Sequence, residues 1–182
     1  MNYQEFYKKS TESSEDFWKE QAQKIDWFKN PDKILSKDVN DYPLWYADGE
    51  LNACYLAVDK HIEDGFGDQI AIIYDSPVTQ TVKRYTYSEV KLEVAKLAGG
   101  LLSLGLEKGD TAVIYMPMIP QAAFAMLACA RIGVTHSVVF GGFAPHELAI
   151  RMDDCEPKLI ITASSGIEID RLIAYKPLVD EA

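Results

Sequence analysis

The sequence predicts an α/β fold: the first part of a doubly wound, mostly parallel sheet, with a helical and extended appendage at its N-terminus. Three observations predict it. After Gly65, short apolar runs alternate with stretches of helical periodicity, the pattern of right-handed βαβ crossovers. Ala112-Val113-Ile114 and Val138-Val139 are apolar at consecutive positions, as a sheet covered on both faces requires. Eleven of the twenty aromatic residues crowd into the first 55 positions, among them Trp18, Trp27 and Trp45. The expected division is an appendage at 1–64 and an incomplete core at 65–182 that continues beyond the chain.

The appendage has Ser13 or Ser14 to cap a helix running to about Lys24, with Trp18, Ala22 and Ile25 on one face. A loop containing Pro31 and Pro43 follows, then Trp45-Tyr46. Large aromatics without strand alternation, and no aliphatic core, predict a segment that wraps over another surface. In the core, Ile70–Tyr74 is a strand, Ser76-Pro77 breaks it, and Lys83–Tyr85 returns as its hairpin partner. Thr86-Tyr87-Ser88-Glu89 has the form of a capping box. The helix it opens carries Val90, Val94, Leu97, Leu101 and Leu104 on one stripe and ends at Gly105. Then come strand Thr111–Tyr115, helix Gln121–Ile132, strand His136–Phe140, a helix with Pro145 in its first turn, and strand Leu159–Thr162. Pro177–Ala182 begins another helix.

Bulk properties exclude several function classes. A formal charge of −10 opposes binding to a phosphate backbone, so no nucleic-acid partner is expected. The apolar runs are too short to span a bilayer, and the N-terminus carries acidic residues and no apolar h-region. A cytoplasmic protein without a membrane partner is the expectation. The three cysteines, Cys54, Cys129 and Cys155, form no CxxC pair and read as reduced thiols, with no metal site.

Few residues announce chemistry by spacing alone. Gly141-Gly142, between a strand and a helix, is either plain turn geometry or a turn that aims amides at an anion. Thr162-Ala163-Ser164-Ser165-Gly166 lacks the spacing of a phosphate loop and reads as a polar strand exit. Arg171, with Glu168 and Asp170 close by in a loop, is a phosphate fork or a surface ion pair. His61, His136 and His146 are far apart, and no Ser-His-Asp order or nucleophile elbow occurs. No catalytic residue is assigned in this chain.

Longer stretches carry a family resemblance. Tyr115-Met116-Pro117-Met118-Ile119-Pro120, Ala125–Gly133 and His136-Ser137-Val138-Val139-Phe140-Gly141-Gly142-Phe143 closely resemble the acetyl-CoA and propionyl-CoA synthetases of the adenylate-forming superfamily. Trp27-Phe28, Leu51-Asn52, Asp59-Lys60-His61 and Gly67-Asp68 fall where that family places similar residues. The resemblance spans nearly the whole chain. It implies an AMP-forming ligase that uses ATP, CoA and Mg²⁺: a carboxylate attacks the α-phosphate of ATP, and CoA then displaces AMP. Ile72–Thr79 and Ser165-Gly166-Ile167-Glu168 look like the propionate-type branch, with acetate as the alternative substrate.

The resemblance also implies where CoA lies. Phe140-Gly141-Gly142 matches the segment against the CoA nucleotide. Ile167, Glu168, Ile169, Asp170 and Arg171 match a loop near CoA. Arg171 matches the second of two phosphate-binding arginines there, and Glu168 replaces the first. The family's phosphate loop ending in Lys-Gly, its adenine- and Mg²⁺-binding motifs and its C-terminal lysine have no counterpart among these 182 residues. The chain alone is therefore expected to be inactive, with the remainder of its own polypeptide as partner. Two other readings are a truncated, non-catalytic module that binds CoA or a partner chain, and an unrelated flavodoxin-like binding module. A parallel sheet halted after its third crossover strand exposes apolar edges and faces. The isolated chain should accordingly bind an apolar reporter dye and melt over a broad range; a sharp, dye-silent monomer melt would contradict this.

Overall fold

The computed structural model describes residues 2–142, 144–168 and 171–182. The chain divides into two compact units, Met1–Asn52 and Ala53–Ala182.

The first unit begins with two helices where one was expected. α1 (Tyr3–Glu12) opens on a capping box: the Glu5 amide donates to Asn2 Oδ1 at 2.9 Å, and the Asn2 amide to Glu5 Oε2 at 3.2 Å. α2 (Ser14–Ala22) is the expected helix, although Ser13 makes no side-chain cap bond. Its buried residues are Phe17 and Ala22, whereas Ile25 is exposed. Phe17 is the anchor because Phe6 meets its ring edge-on at 4.7 Å and Trp18 does so at 5.0 Å. Trp18 then meets Trp45 at 5.7 Å, while the Tyr46 hydroxyl donates to the Trp18 carbonyl at 3.1 Å. Gly49 lacks a side chain because a Cβ there would lie 2.9 Å from the Trp27 ring.

The stretch read as a loop contains a short antiparallel hairpin, β1 (Leu35–Lys37) and β2 (Pro43–Trp45). Asp38 builds its turn. One carboxylate oxygen accepts from the Asn40 amide at 2.8 Å and the Tyr42 amide at 2.9 Å, and Asp41 takes a positive φ of 71°.

The second unit opens on two π-helical turns, Tyr55–Asp59 and Ile62–Phe66, which bury Cys54 and Val58 in its core. β3 (Ile70–Ser76) and β4 (Thr81–Thr86) form the expected hairpin, with a register shift between Ile70 and Ile72. Thr86 and Glu89 close the capping box of α3 (Tyr87–Ser103) at 3.2 and 2.8 Å. α3 buries Val90, Val94, Ala98 and Leu101, each of the larger side chains contributing about 1.5–3 kcal/mol. Leu104 departs from the expected stripe: it is the C-cap, beyond the last turn, and is exposed.

β5 (Thr111–Met116), α4 (Pro120–Ile132), β6 (Thr135–Phe140), α5 (Pro145–Cys155) and β7 (Leu159–Thr162) follow the predicted grammar. The three strands are parallel in the order β6-β5-β7. Alternate residues of β5 serve opposite faces. Ala112 packs with residues of α3 and α4, while Val113 and Tyr115 pack with residues of α5 and the C-terminal segment. That is the doubly wound arrangement the sequence predicts. The two faces of β6 differ: Val139 packs with Leu148 of α5 and is buried, but Val138 points to the opposite face, onto the open cavity side, and is 49% exposed, contrary to the two-sided burial expected for it.

The end of the chain differs most from expectation. β8 (Ser165–Glu168) and β9 (Arg171–Ala174) form an antiparallel hairpin in which Glu168 pairs with Arg171. The two residues expected in a loop thus end one strand and begin the next. α6 (Tyr175–Glu181) starts two residues before the expected Pro177.

One buried charge ties the π-helical segment to the sheet-covering helices. Asp59 is 6% exposed, and its carboxylate meets Arg131 of α4 at 2.5 Å and Lys91 of α3 at 3.0 Å. Burial pushes the Asp59 carboxyl up, but the hydrogen bonds and charges of Arg131 and Lys91 outweigh it and hold the group below its ordinary value. A depressed carboxyl pKa contributes stability above the unfolded-state value, and that stability is lost as pH falls through the folded-state one. Asp59→Ala strands a half-buried guanidinium and should cost about 2–3 kcal/mol, reduced from the fully buried case by the exposure of Lys91. In thermal melts, the loss of wild-type stability from about pH 5 downward should be shallower in the variant; parallel pH profiles would show that Asp59 does not carry this term.

Candidate functional site

In an open α/β sheet, ligands settle outside the carboxyl ends of the strands, where successive connections leave for opposite faces. Here β5 leads into α4 on one face, and β6 leads into α5 on the other. A cavity of about 480 Å³ opens at these strand ends. Its walls are Ile114 and Met116 of β5, Met118 and Ile119 after it, Ala122 and Met126 of α4, Val138 and Phe140 of β6, and Ile167 and Ile173 of the terminal hairpin. Gly141, Gly142, Gly166 and Tyr175 complete it. Among the described residues the lining carries no charged side chain, so this surface suits an apolar or aromatic part of a ligand.

The predicted coenzyme-facing residues divide across this region. Phe140, Gly141, Gly142 and Ile167 line the same cavity, although they come from two distant parts of the chain. Arg171 lies on β9 opposite Glu168 of β8, and its side chain is exposed. Ile169, Asp170 and the side chain of Glu168 lie outside the described residues.

The glycine pair is shaped by crowding. Neither glycine has a positive φ. A Cβ on Gly141 would collide with the Tyr175 hydroxyl and come within 2.9 Å of the Met116 carbonyl oxygen. One on Gly142 would lie 2.5 Å from the Phe140 ring. Gly166, noted in the sequence within a polar strand exit and a branch-like stretch, is equally constrained: its Cβ would be 2.8 Å from the Tyr175 ring and 2.9 Å from Pro117. The Tyr175 ring also lies 5.1 Å from that of Tyr115, whose hydroxyl approaches the Gly141 carbonyl at 3.5 Å, the limit of a hydrogen bond. Burial raises the Tyr115 hydroxyl above its ordinary pKa, so it stays protonated and able to donate.

Tyr175 was not singled out by sequence, and Tyr115, Met116 and Gly166 stood there only within longer quoted stretches, with no packing role of their own. A tyrosine within an otherwise aliphatic buried strand was the available signal for Tyr115; nothing in the short, polar α6 marks Tyr175. The Thr162–Gly166 stretch behaves as a strand exit. The Ser164 carbonyl accepts from the amides of Tyr175 at 3.1 Å and Lys176 at 3.4 Å, engaging the first amides of α6. The histidines stay apart in role: His61 stacks on Tyr87 at 4.7 Å, His136 is half-buried in β6, and His146 is exposed. Cys54, Cys129 and Cys155 are free thiols, the first two buried. Burial pushes all three above the ordinary thiol value, which makes them poor nucleophiles. Among the described residues, no group of three or more His, Cys, Asp or Glu side chains gathers to hold a metal ion. No helix there is long and apolar enough to cross a membrane.

Comparison with known proteins identifies this architecture. The family model for the AMP-binding enzyme matches residues 60–181, and that for the acetyl-coenzyme A synthetase N-terminus matches residues 3–57. The chain belongs to the AMP-binding enzyme family. It is 56% identical over its whole length to an uncharacterized protein of Pseudomonas aeruginosa, spanning 29% of that protein. It is 54% identical, over 99% of its length, to the Bos taurus acyl-CoA synthetase short-chain family member 3, mitochondrial, spanning 26% of it. The Streptomyces coelicolor acetyl-coenzyme A synthetase is 47% identical over 91% of the chain, which spans 25% of that enzyme. The fold matches that of the acetoacetyl-CoA synthetase from Streptomyces lividans with a TM-score of 0.88, at 23% identity, over all of this chain and 28% of that one. The chain thus spans under a third of each of these relatives, corresponding to the N-terminal part of the short-chain acyl-CoA synthetases.

The crowding gives a direct test. Gly141→Ala should displace Tyr175 or Met116 and destabilise the chain by about 1–3 kcal/mol, the range for overpacking. Ala substitution of Gly99, where a Cβ meets nothing within 4 Å, serves as the control in denaturant melts and should leave stability equal or slightly higher.

Proposed function

We propose that the protein to which this chain contributes its N-terminal part joins a short-chain carboxylate to CoA with ATP, through an acyl-adenylate, and prefers propionate to acetate. The observation that carries this reading is the joining of Phe140, Gly141, Gly142 and Ile167 in one apolar cavity, with Arg171 on the hairpin that forms its wall. The products in the names of its relatives, acyl-CoA and acetyl-coenzyme A, agree with it.

In the first step a carboxylate oxygen attacks the α-phosphorus of ATP, and pyrophosphate leaves. In the second the CoA sulfur attacks the acyl carbon, and AMP leaves. This chain's residues act on binding. Arg171 offers a two-pronged donor to a CoA phosphate. The Phe140-Gly141-Gly142 turn and Ile167 present apolar surface to the nucleotide or its pantetheine arm. Mg²⁺ offsets phosphate charge in such reactions; no residue here is assigned to it. Water exclusion and the chemical steps fall to polypeptide beyond this stretch. The propionate preference rests on Glu168, where acetyl-type enzymes carry arginine, and on Ser76-Pro77-Val78-Thr79, which forms the β3–β4 turn.

Pyrophosphate release with ATP, CoA and either acid tests the reading. The full-length protein should turn over with a higher kcat/KM for propionate than for acetate, and the 182-residue chain should not turn over. Loss of a charge-assisted hydrogen bond is worth about 1.5–3 kcal/mol, so Arg171→Ala in the full-length protein should raise the KM for CoA at least about tenfold. Turnover that ignores CoA, or robust turnover by the short chain, would refute the proposal.

A further inference from the structure

We propose that Tyr175 is a positioning residue that sets the coenzyme-facing turn and the Arg171 hairpin in register with each other. The inference rests on the CoA reading above and goes beyond it, because Tyr175 itself is assigned no contact with coenzyme. Three observations carry it. First, the Tyr175 ring meets two glycine backbones from separate parts of the chain, Gly141 after β6 and Gly166 in β8, at distances that leave no room for a Cβ on either. Second, Tyr175 is 5% exposed and packs on Tyr115, whose hydroxyl reaches back to the Gly141 carbonyl. Third, the Tyr175 amide donates to the Ser164 carbonyl at 3.1 Å, which fixes the ring relative to the start of β8.

The consequence is geometric coupling. Gly141-Gly142 leaves the sheet at β6, and the hairpin carrying Arg171 leaves it at β7. β6 and β7 are not neighbours, since β5 separates them. No backbone ladder therefore aligns the two ligand-facing elements. The Tyr175 ring bridges them, and a phosphate held by Arg171 and a nucleotide lying on Phe140-Gly141-Gly142 require that alignment to engage one molecule together. A misplacement of about 1 Å at a binding group can cost on the order of a hundredfold.

The test uses the full-length protein. Tyr175→Ala should raise the KM for CoA about tenfold or more, while ATP–pyrophosphate exchange driven by the carboxylic acid keeps its rate. Tyr175→Phe, which keeps the ring, should restore the CoA KM. Because Tyr175→Ala opens a cavity in a packed cluster, Gly166→Ala serves as a second variant: it pushes the ring from the hairpin side and leaves the turn's own sequence intact. Hydrogen exchange should then quicken at Gly141 and Gly142, far from the substitution in sequence, as well as at residues 165–168. Exchange changes confined to the hairpin, or an unaltered CoA KM in Tyr175→Ala beside an active wild type, would overturn the positioning role and leave the ligase reading standing. A wild type that ignores CoA would overturn both.

Discussion

The geometry at the carboxyl end of the sheet depends on one close contact, the tyrosine ring of α6 lodged between two glycine backbones. Parallel strands are aligned by their ladders, but what leaves their ends is not. Here Tyr175 supplies that alignment: Gly141 abuts it from the β6 side and Gly166 from the hairpin side. A side chain at either glycine would displace the ring, and with it the wall of the cavity at these strand ends. The constraint is steric, so it acts at very short range and tolerates little variation in size.

A second constraint is electrostatic and acts at the other side of the unit. Asp59 sits where a π-helical turn meets α3 and α4, and three elements share its carboxylate. Arg131 donates through both terminal nitrogens, at 2.5 and 3.4 Å, so the pairing is directional as well as coulombic. Such a cluster contributes less net stability than its short distances suggest, because all its members lose water. Its value lies in specifying where the irregular segment docks. The aliphatic packing of Val90, Val94 and Leu101 is adaptable; a carboxylate that needs two cationic partners is not.

Much of the fold was legible in the sequence because local signals agreed. The Thr86–Glu89 capping box, the Val90-Val94-Leu101 stripe and the apolar run of β5 each reported an element that packing then used in the same way. The misses came where tertiary context overrides local pattern. β1, β2, β8 and β9 have three or four residues each, too short for alternation to register, and β1 and β2 form because the Asp38 turn brings them together. Val138 looked like a core residue because an apolar run reports apolar positions but not whether a packed helix covers that face. Asp59 was marked in the sequence only as part of the Asp59-Lys60-His61 resemblance; its ion pairs left no local signal, since its partners are distant in sequence.

The glycine pair shows how far the candidate site could be read. From the sequence, Gly141-Gly142 stood for plain turn geometry or for a sharp turn aiming free amides at an anion, readings that both draw on the backbone freedom of glycine. The structure gives both residues ordinary φ values and a different reason to be glycine. Gly141 must admit the Tyr175 hydroxyl and the Met116 carbonyl, and Gly142 must admit the Phe140 ring. A glycine selected by crowding signals what packs behind the turn, and only indirectly what binds in front of it. The stronger pointer to a ligand is therefore the convergence of Phe140 and Ile167, separate in the chain, on one cavity whose described lining is apolar, with an arginine on its adjoining hairpin. That convergence depends on the packing of Tyr175, so the same contact that explains the glycines also explains why a ligand-sized space exists at these strand ends.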